Sequence, residues 1–381
     1  EMIYLDNAAT TLYKPEPVRK AVYEAMGTMG NSGRGAWGPA LSASRLVYSV
    51  REKAAEFFGA WGGASVAFTG NATEALNIAI SGLVKKGDHV ITTQAEHNSV
   101  LRPLYRKEKE GAELTILPVD KKGNFSLEEM EKAVRENTVA VICTHASNVT
   151  GNLFPAEEIG KLCRRHGLLF VLDASQSAGK AMIDMKKMHI DVLCFTGHKG
   201  LMGPQGTGGI CVDPQVKIPP FKVGGSGILS FDREHPKCMP EALEAGTLNI
   251  YGLAGLGAAF DYLKETGLEK IIRHENRLGE IFYEAVRKIP GVEVYGDFSL
   301  TARTGVVSLN VAGYSSKEAG DLLAQGYEIA TRAGVHCAPL IHQALGTEKR
   351  GTLRFSFSWF NTEEEIQRAA LAVKEIAKEW E

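Results

Sequence analysis

No stretch of the 381-residue chain approaches the ~20 apolar residues that a membrane-spanning helix needs, so no membrane partner is expected. Neither sign of charge dominates. The 43 Lys and Arg against 45 Asp and Glu leave a net charge of -2, which gives nucleic acid or an anionic surface no electrostatic hold. Small molecules are the expected partners. Cysteine is sparse and scattered: Cys143, Cys163, Cys194, Cys211, Cys238 and Cys337 show no CxxC spacing. That pattern argues against a disulfide framework or a zinc site, so the thiols are expected free and no metal is expected. The opening EMIYLDNAATT has Asp6 and polar residues where a signal peptide needs a basic and then an apolar run. A cytoplasmic location is the expectation. Internal repeats, low-complexity tracts and polar linkers are also missing.

What is present is an ordinary globular composition, 44% hydrophobic and 23% charged, in a chain long enough for two domains. From about residue 64 to 212, short apolar runs alternate with helix-like segments: ASVAFTG, DHVITTQ, AELTILPV, VAVICTHAS, LLFVLDAS, VLCFTG and GGICVD. Seven such runs predict an α/β fold with a mostly parallel seven-stranded sheet covered by helices on both faces. Ligands then bind beyond the carboxyl ends of the strands, where Thr69, Ser147, Asp173 and Thr196 fall. Past about residue 250 the rhythm changes to long helices and separated strands (GVEVYG, TGVVSLNV, GTLRFSFSWF), ending in NTEEEIQRAALAVKEIAKEW. In that last segment Thr362 and Glu365 form a capping box, and Ile366, Ala369, Val373, Ile376 and Trp380 recur at helical spacing. The reading is a large domain over 15–255 and a smaller α+β domain over 256–381 joined by 1–14, with the site between them.

The most informative pairing is Asp173, which ends the run LFVLD, with Lys199 in FTGHKGLMGPQGTGG, 26 residues further on. An apolar strand ending in a carboxylate, followed by one leading to a glycine-flanked lysine, suits pyridoxal phosphate. The lysine forms a Schiff base with the aldehyde, and the carboxylate keeps the pyridine nitrogen protonated so that the ring draws electrons from an amino acid. Around them, GNAT opens a helix whose free amides suit a phosphate, with the Thr73 hydroxyl added; Asn71 and Thr73 are alternatively simple caps. His97 in QAEHNSV either stacks on the ring or is a satisfied polar histidine. Asn148 in HASNVTG and Gln176 in DASQSAG are placed to hydrogen-bond a ring oxygen, or are turn residues.

The segments LDNAATT, TGNATEALN, EHNSV, SNVTG, DASQSAG, TGHKGLMGPQGTG, EAGTLN and RAGVHCAP, in this order, resemble fold-type I pyridoxal-phosphate enzymes of the class V aminotransferase group. The resemblance is to the cysteine desulfurase and selenocysteine lyase branch and spans nearly the whole chain. It implies Lys199 as the Schiff-base lysine, Asp173 as the pyridinium partner and His97 as the stacking residue. Asn148 and Gln176 lie around the ring, and Ala72, Thr73, Thr196 and His198 hold the phosphate. Thr247 of EAGTLN would reach in from a second subunit, which implies a homodimer. RAGVHCAP resembles the family's second group, but Val335 and Arg332–Ala333–Gly334 replace the second histidine and the arginine-threonine-glycine start of its commonest form.

Cys337 is either a small buried hydrophobe or the sulfur-accepting nucleophile. Gly334, His336 and Pro339 around it indicate a loop, and Arg332 and His336 are positioned in sequence to favour a thiolate. The other five cysteines, mostly within apolar runs, are expected to be inert. In LRFSFSWF, Arg354 alternates away from the core face, as a solvated arginine or as the fork that grips a substrate α-carboxylate, the role the resemblance implies. Conversion of L-cysteine to L-alanine with a persulfide left on Cys337 is the reaction so implied. Selenocysteine lyase, with L-selenocysteine as substrate, stays open, as do an aminotransferase without persulfide chemistry and a non-catalytic cofactor holder or scaffold. A sulfur-acceptor protein is implied without being identified, the family-level possibilities being iron–sulfur scaffolds, tRNA thiolation proteins and molybdenum cofactor enzymes.

Overall fold

In a computed structural model, residues 2–33 and 35–378 are described. All seven apolar runs form strands: β2 (Val66–Thr69), β3 (His89–Thr93), β4 (Glu113–Leu117), β5 (Thr138–Thr144), β6 (Leu169–Asp173), β7 (Val192–Thr196) and β8 (Gly208–Val212), β1 being the short Ile3–Tyr4. Their order is β2-β8-β7-β6-β5-β3-β4, parallel except for β8, which runs antiparallel to both of its neighbours. Burial on both faces explains why these runs are apolar throughout. Phe170, Leu172, Leu193 and Phe195 pack into one core, while Val171, Val192 and Cys194 pack into another on the opposite face.

The helices are α1 (Glu16–Thr28), α2 (Gly38–Phe58), α3 (Ala72–Leu83), α4 (Asn98–Lys109), α5 (Leu127–Lys132), α6 (Ala156–His166), α7 (Ile250–Thr266), α8 (Leu268–Val286), α9 (Ser316–Tyr327), α10 (Pro339–Leu345) and α11 (Glu363–Lys378). A boundary at residue 255 would cut α7, whose Leu256, Phe260 and Leu263 pack into the large core beside α2. The second core begins with Leu278 and Phe282 of α8 and takes in Ile3 and Leu5 of the N-terminal segment. Its sheet contains β9 (Val292–Tyr295), β10 (Val306–Val311), β12 (Arg332–Gly334) and β13 (Thr352–Ser356) in the antiparallel order β12-β13-β10-β9. A separate two-residue strand, β11 (Ile329–Ala330), pairs with β1. At α11 the capping box closes as expected: Glu365 N donates to Thr362 Oγ1 at 3.2 Å and Thr362 N to Glu365 Oε2 at 3.1 Å. Trp380 of the expected stripe lies outside the described residues.

The two cores are pinned together by buried charge. Lys180 Nζ, on the loop after β6, donates to Glu275 Oε2 of α8 at 2.7 Å and to Phe357 O at 3.2 Å, and both side chains of the ion pair are under 5% exposed. Arg303 donates to Asn152 Oδ1 and to the carbonyls of Thr150 and Asp297, joining the loop after β5 to the smaller domain. No helix among the described residues is long and apolar enough to cross a membrane.

Candidate active site

Parallel strands bring their carboxyl ends to one edge of the sheet, and the loops leaving β2, β3, β5, β6 and β7 there form a cup of about 500 Å³, open mouth included. Nine residues singled out from sequence line it: Ala72, Thr73, His97, Asn148, Asp173, Gln176, Thr196, His198 and Lys199. Glycine lets the two central loops meet. A Cβ on Gly179 would lie 2.2 Å from Gly200 O, and one on Gly200 would lie 2.3 Å from Ala178 O, so the Asp173 loop closes on the Lys199 loop only without side chains there.

Asp173 is buried, its Oδ1 taking hydrogen bonds from Ser175 N at 3.0 Å and Ser175 Oγ at 2.5 Å. No hydrogen bond among the described residues uses its Oδ2. Burial, with a smaller push from Arg354, lowers the Lys199 amine to a pKa of about 8, so a sizeable fraction is uncharged and nucleophilic near neutral pH. His97 caps α4: its Nδ1 accepts from Ser99 N at 3.0 Å, which puts the ring hydrogen of the neutral form on Nε2. Burial and then Lys199 lower its pKa and favour that neutral form. His198 Nδ1 meets Thr10 Oγ1 at 2.9 Å, and burial takes its pKa down to about 4.

At α3, Asn71 is a cap, its Oδ1 accepting from Glu74 N at 2.8 Å. The Ala72 and Thr73 amides at this helix end have no partner among the described residues, so they remain free for an anion. Gln176 Nε2 donates to Ala8 O at 3.0 Å, while its buried Oε1 has no partner. Free amides at a helix start, an unpaired carboxylate oxygen, a buried weakly basic amine and an unmatched amide oxygen together fit the phosphate, ring nitrogen, aldehyde and ring substituents of pyridoxal phosphate. Thr247 is exposed and outside the cup, in a groove with Thr69, Gly70 and Asn249.

Asn148 links this cup to the residues of the smaller domain. Its Nδ2 donates to His336 O at 2.8 Å, keeping one amide hydrogen for the cup, and its carbonyl accepts from Arg354 NH1 at 3.1 Å. Arg354 is 2% exposed, which corrects the solvated alternative: the face opposite the small-domain core is covered by the large domain. Its pKa falls to about 10 through burial, so it remains charged at neutral pH, and its Nε has no partner. Cys337 is exposed on its loop, so it is no buried hydrophobe. The expectation that His336 supports a thiolate fails, because burial drives its pKa down to about 2 and leaves the ring neutral. Of the other cysteines, Cys143, Cys163, Cys194 and Cys211 are buried, but Cys238 is exposed.

Two acidic residues escaped the sequence reading. Asp6 takes Arg332 Nε at 3.2 and 3.1 Å on its two oxygens and Arg354 NH2 at 3.3 Å, so it joins both arginines. It stands in LDNAATT, where it served only as evidence against export. Glu96, fully buried beside His97, accepts from Thr144 N at 2.7 Å and Thr93 Oγ1 at 2.5 Å, tying the His97 turn to the end of β5.

The family model described as Aminotransferase class-V matches residues 3–369. The chain belongs to this family. Among class-V relatives, a probable cysteine desulfurase of Methanothermobacter thermautotrophicus is 36% identical, the match covering 98% of this chain and 94% of that one. Another from Pyrococcus abyssi is 34% identical over 99% and 95% of the two chains. The apo structure of a cysteine desulfurase from Thermococcus onnurineus NA1 superposes with a TM-score of 0.94 at 35% identity, over 99% of this chain and 95% of that one. The cysteine desulfurase CsdA of Escherichia coli gives 0.89 at 28% identity, over 100% and 95%. Class-V enzymes depend on pyridoxal phosphate, the group the cup residues fit.

Proposed function

We propose that the protein is a cysteine desulfurase that converts L-cysteine to L-alanine and leaves the sulfur as a persulfide on Cys337. One observation carries this reading: the cup residue Asn148 is bonded both to the loop of the exposed Cys337, through His336 O, and to the buried Arg354 guanidinium, through its own backbone carbonyl. Pyridoxal phosphate, held by Lys199, Asp173, Gln176, His97 and the α3 amides with Thr73, Thr196 and His198, supplies an electron sink that labilises the substrate's Cα–H and Cβ–S bonds. Arg354 grips the α-carboxylate through donors that include its free Nε. The Lys199 amine takes the Cα proton and returns it, for which a pKa of about 8 is well suited. His97 presents its Nε2–H to the cup as a neutral donor.

The Cys337 thiolate, the nucleophilic form of the side chain, attacks the substrate sulfur. The Cβ–S bond breaks, its electron pair stays with carbon, and a proton completes the methyl group of alanine. The sulfur is oxidised to the persulfide level as the carbon is reduced, so no outside oxidant is needed. The exposed apolar side chains Tyr23, Met26, Trp37, Tyr48 and Phe231, with Thr247 outside its own cup, support a homodimer in which Thr247 completes the partner's phosphate site. A separate sulfur-acceptor protein then unloads Cys337.

Alanine release tests this reading. Without an added reductant, L-cysteine should yield a fast burst of about one alanine per Cys337 followed by slow turnover, because the substrate's own thiol unloads the persulfide; with a thiol reductant, the slow phase should accelerate with sulfide release. Cys337→Ser should abolish the burst. A keto-acid requirement, or undiminished alanine from Cys337→Ser, would refute it.

A further inference from the structure

The loop between β12 and α10 holds Cys337 in a backbone that does not persist unaided. His336 and Cys337 sit consecutively in the left-handed region, at φ 57° and 54°, one residue beyond Val335, which follows Gly334 at φ 119°. Each such non-glycine residue is disfavoured, and the conformation survives only where surrounding bonds fix it. Those bonds are present at every carbonyl. Cys337 O accepts from Asn98 N at 2.7 Å, His336 O from Asn148 Nδ2 at 2.8 Å, and Val335 O from Ala338 N at 3.1 Å. His336 Nε2 also donates to Thr352 O at 3.0 Å.

The remaining bond comes from a residue that the chemistry does not use. His342, on α10, is fully buried, with Nε2 at 3.1 Å from Val335 O and Nδ1 at 2.7 Å from Thr347 Oγ1. A carbonyl only accepts, so Nε2 carries the hydrogen and Nδ1 takes the Thr347 hydroxyl. Thr347 thereby sets the tautomer that His342 needs. We propose that His342 is a positioning residue for sulfur transfer, fixing the strained loop that presents Cys337 through the hydrogen bond to Val335 O. The functional part rests on the desulfurase reading; the structural part does not.

Three variants of the holoenzyme separate these elements. His342→Leu removes the donor at similar bulk, His342→Asn is polar but too short, and His342→Gln can place an amide N–H where Nε2 stands. Single-turnover persulfide formation should fall roughly tenfold in Leu and Asn, the scale of one buried hydrogen bond, and return to within about threefold in Gln. Solvent-deuterium exchange at Cα of L-alanine, which needs no thiol, should stay within about twofold in all three. Amide exchange at Asn98, whose N–H holds Cys337 O, should speed up in Leu and Asn but not in Gln. If His342→Leu does not fold, Asn and Gln carry the same comparison.

Wild-type behaviour of Leu and Asn, failure of Gln to rescue, or equal loss of both reactions would overturn the proposal. A wild-type enzyme that forms no persulfide would sink the desulfurase reading, while Asn98 exchange would still decide the role of His342.

Discussion

Replacing Arg354 by glutamine removes a charge whose surroundings define its cost. The guanidinium is almost fully buried, donates to Asn148 O at 3.1 Å and Asp6 Oδ1 at 3.3 Å, and keeps Nε unpartnered. Two charge-assisted bonds to a substrate carboxylate are worth about 3–5 kcal/mol together, so kcat/KM for L-cysteine should fall roughly 10²–10⁴-fold. Asp6 stays paired, because Arg332 already holds it at 3.0 to 3.2 Å. Arg354 also repels the Lys199 ammonium, so its loss moves that amine back toward its ordinary range. To cancel this effect, L-cysteine and cysteamine, which lacks the carboxylate, are compared at one pH and only their ratio is read. The wild type should prefer cysteine by at least 10³, and Arg354→Gln should reduce that preference to about tenfold. A ratio unchanged by the substitution would refute the assignment of Arg354 to the carboxylate.

Two further outcomes follow from buried charge. Lys180→Met strands Glu275 in the interdomain contact and should lose about 3–5 kcal/mol in urea denaturation, most of it recovered by Lys180→Met/Glu275→Leu; a single variant within 1 kcal/mol of wild type would contradict this. The Lys199 amine reacts only when uncharged, and burial lowers its pKa to about 8. Cofactor capture by the apoprotein, followed by stopped-flow absorbance, should therefore rise about tenfold per pH unit well below 8 and level off above about 9; continued tenfold rises to pH 10 would show an unperturbed lysine.

The central sheet was legible because strands buried on both faces must be apolar along their whole length, and seven such runs stand in the sequence. The cup followed from it, since parallel topology fixes which strand ends meet, and Asp173 and Lys199 occupy two of those ends. Domain assignment of α7 was not legible. The helix is apolar on nearly all sides, with Gly252, Leu253, Ala254, Gly255, Leu256 and Gly257 all buried, so no stripe reveals which core it joins. Alternation in β13 put Arg354 on the right face but said nothing of what covers that face. The partner of Arg354, Asp6, lies 348 residues away in sequence, and the neutral state of His336 depends on burial that only the tertiary structure supplies.

The most direct test of the account uses the holoenzyme and L-cysteine labelled with heavy sulfur, followed by peptide mass spectrometry without reductant. The prediction is one heavy sulfur atom on the peptide carrying Cys337, absent from the exposed Cys238 peptide and lost in Lys199→Ala. Label on Cys238 alone, or on no cysteine while alanine accumulates, would contradict the central claim that Lys199 and Cys337 act on one substrate.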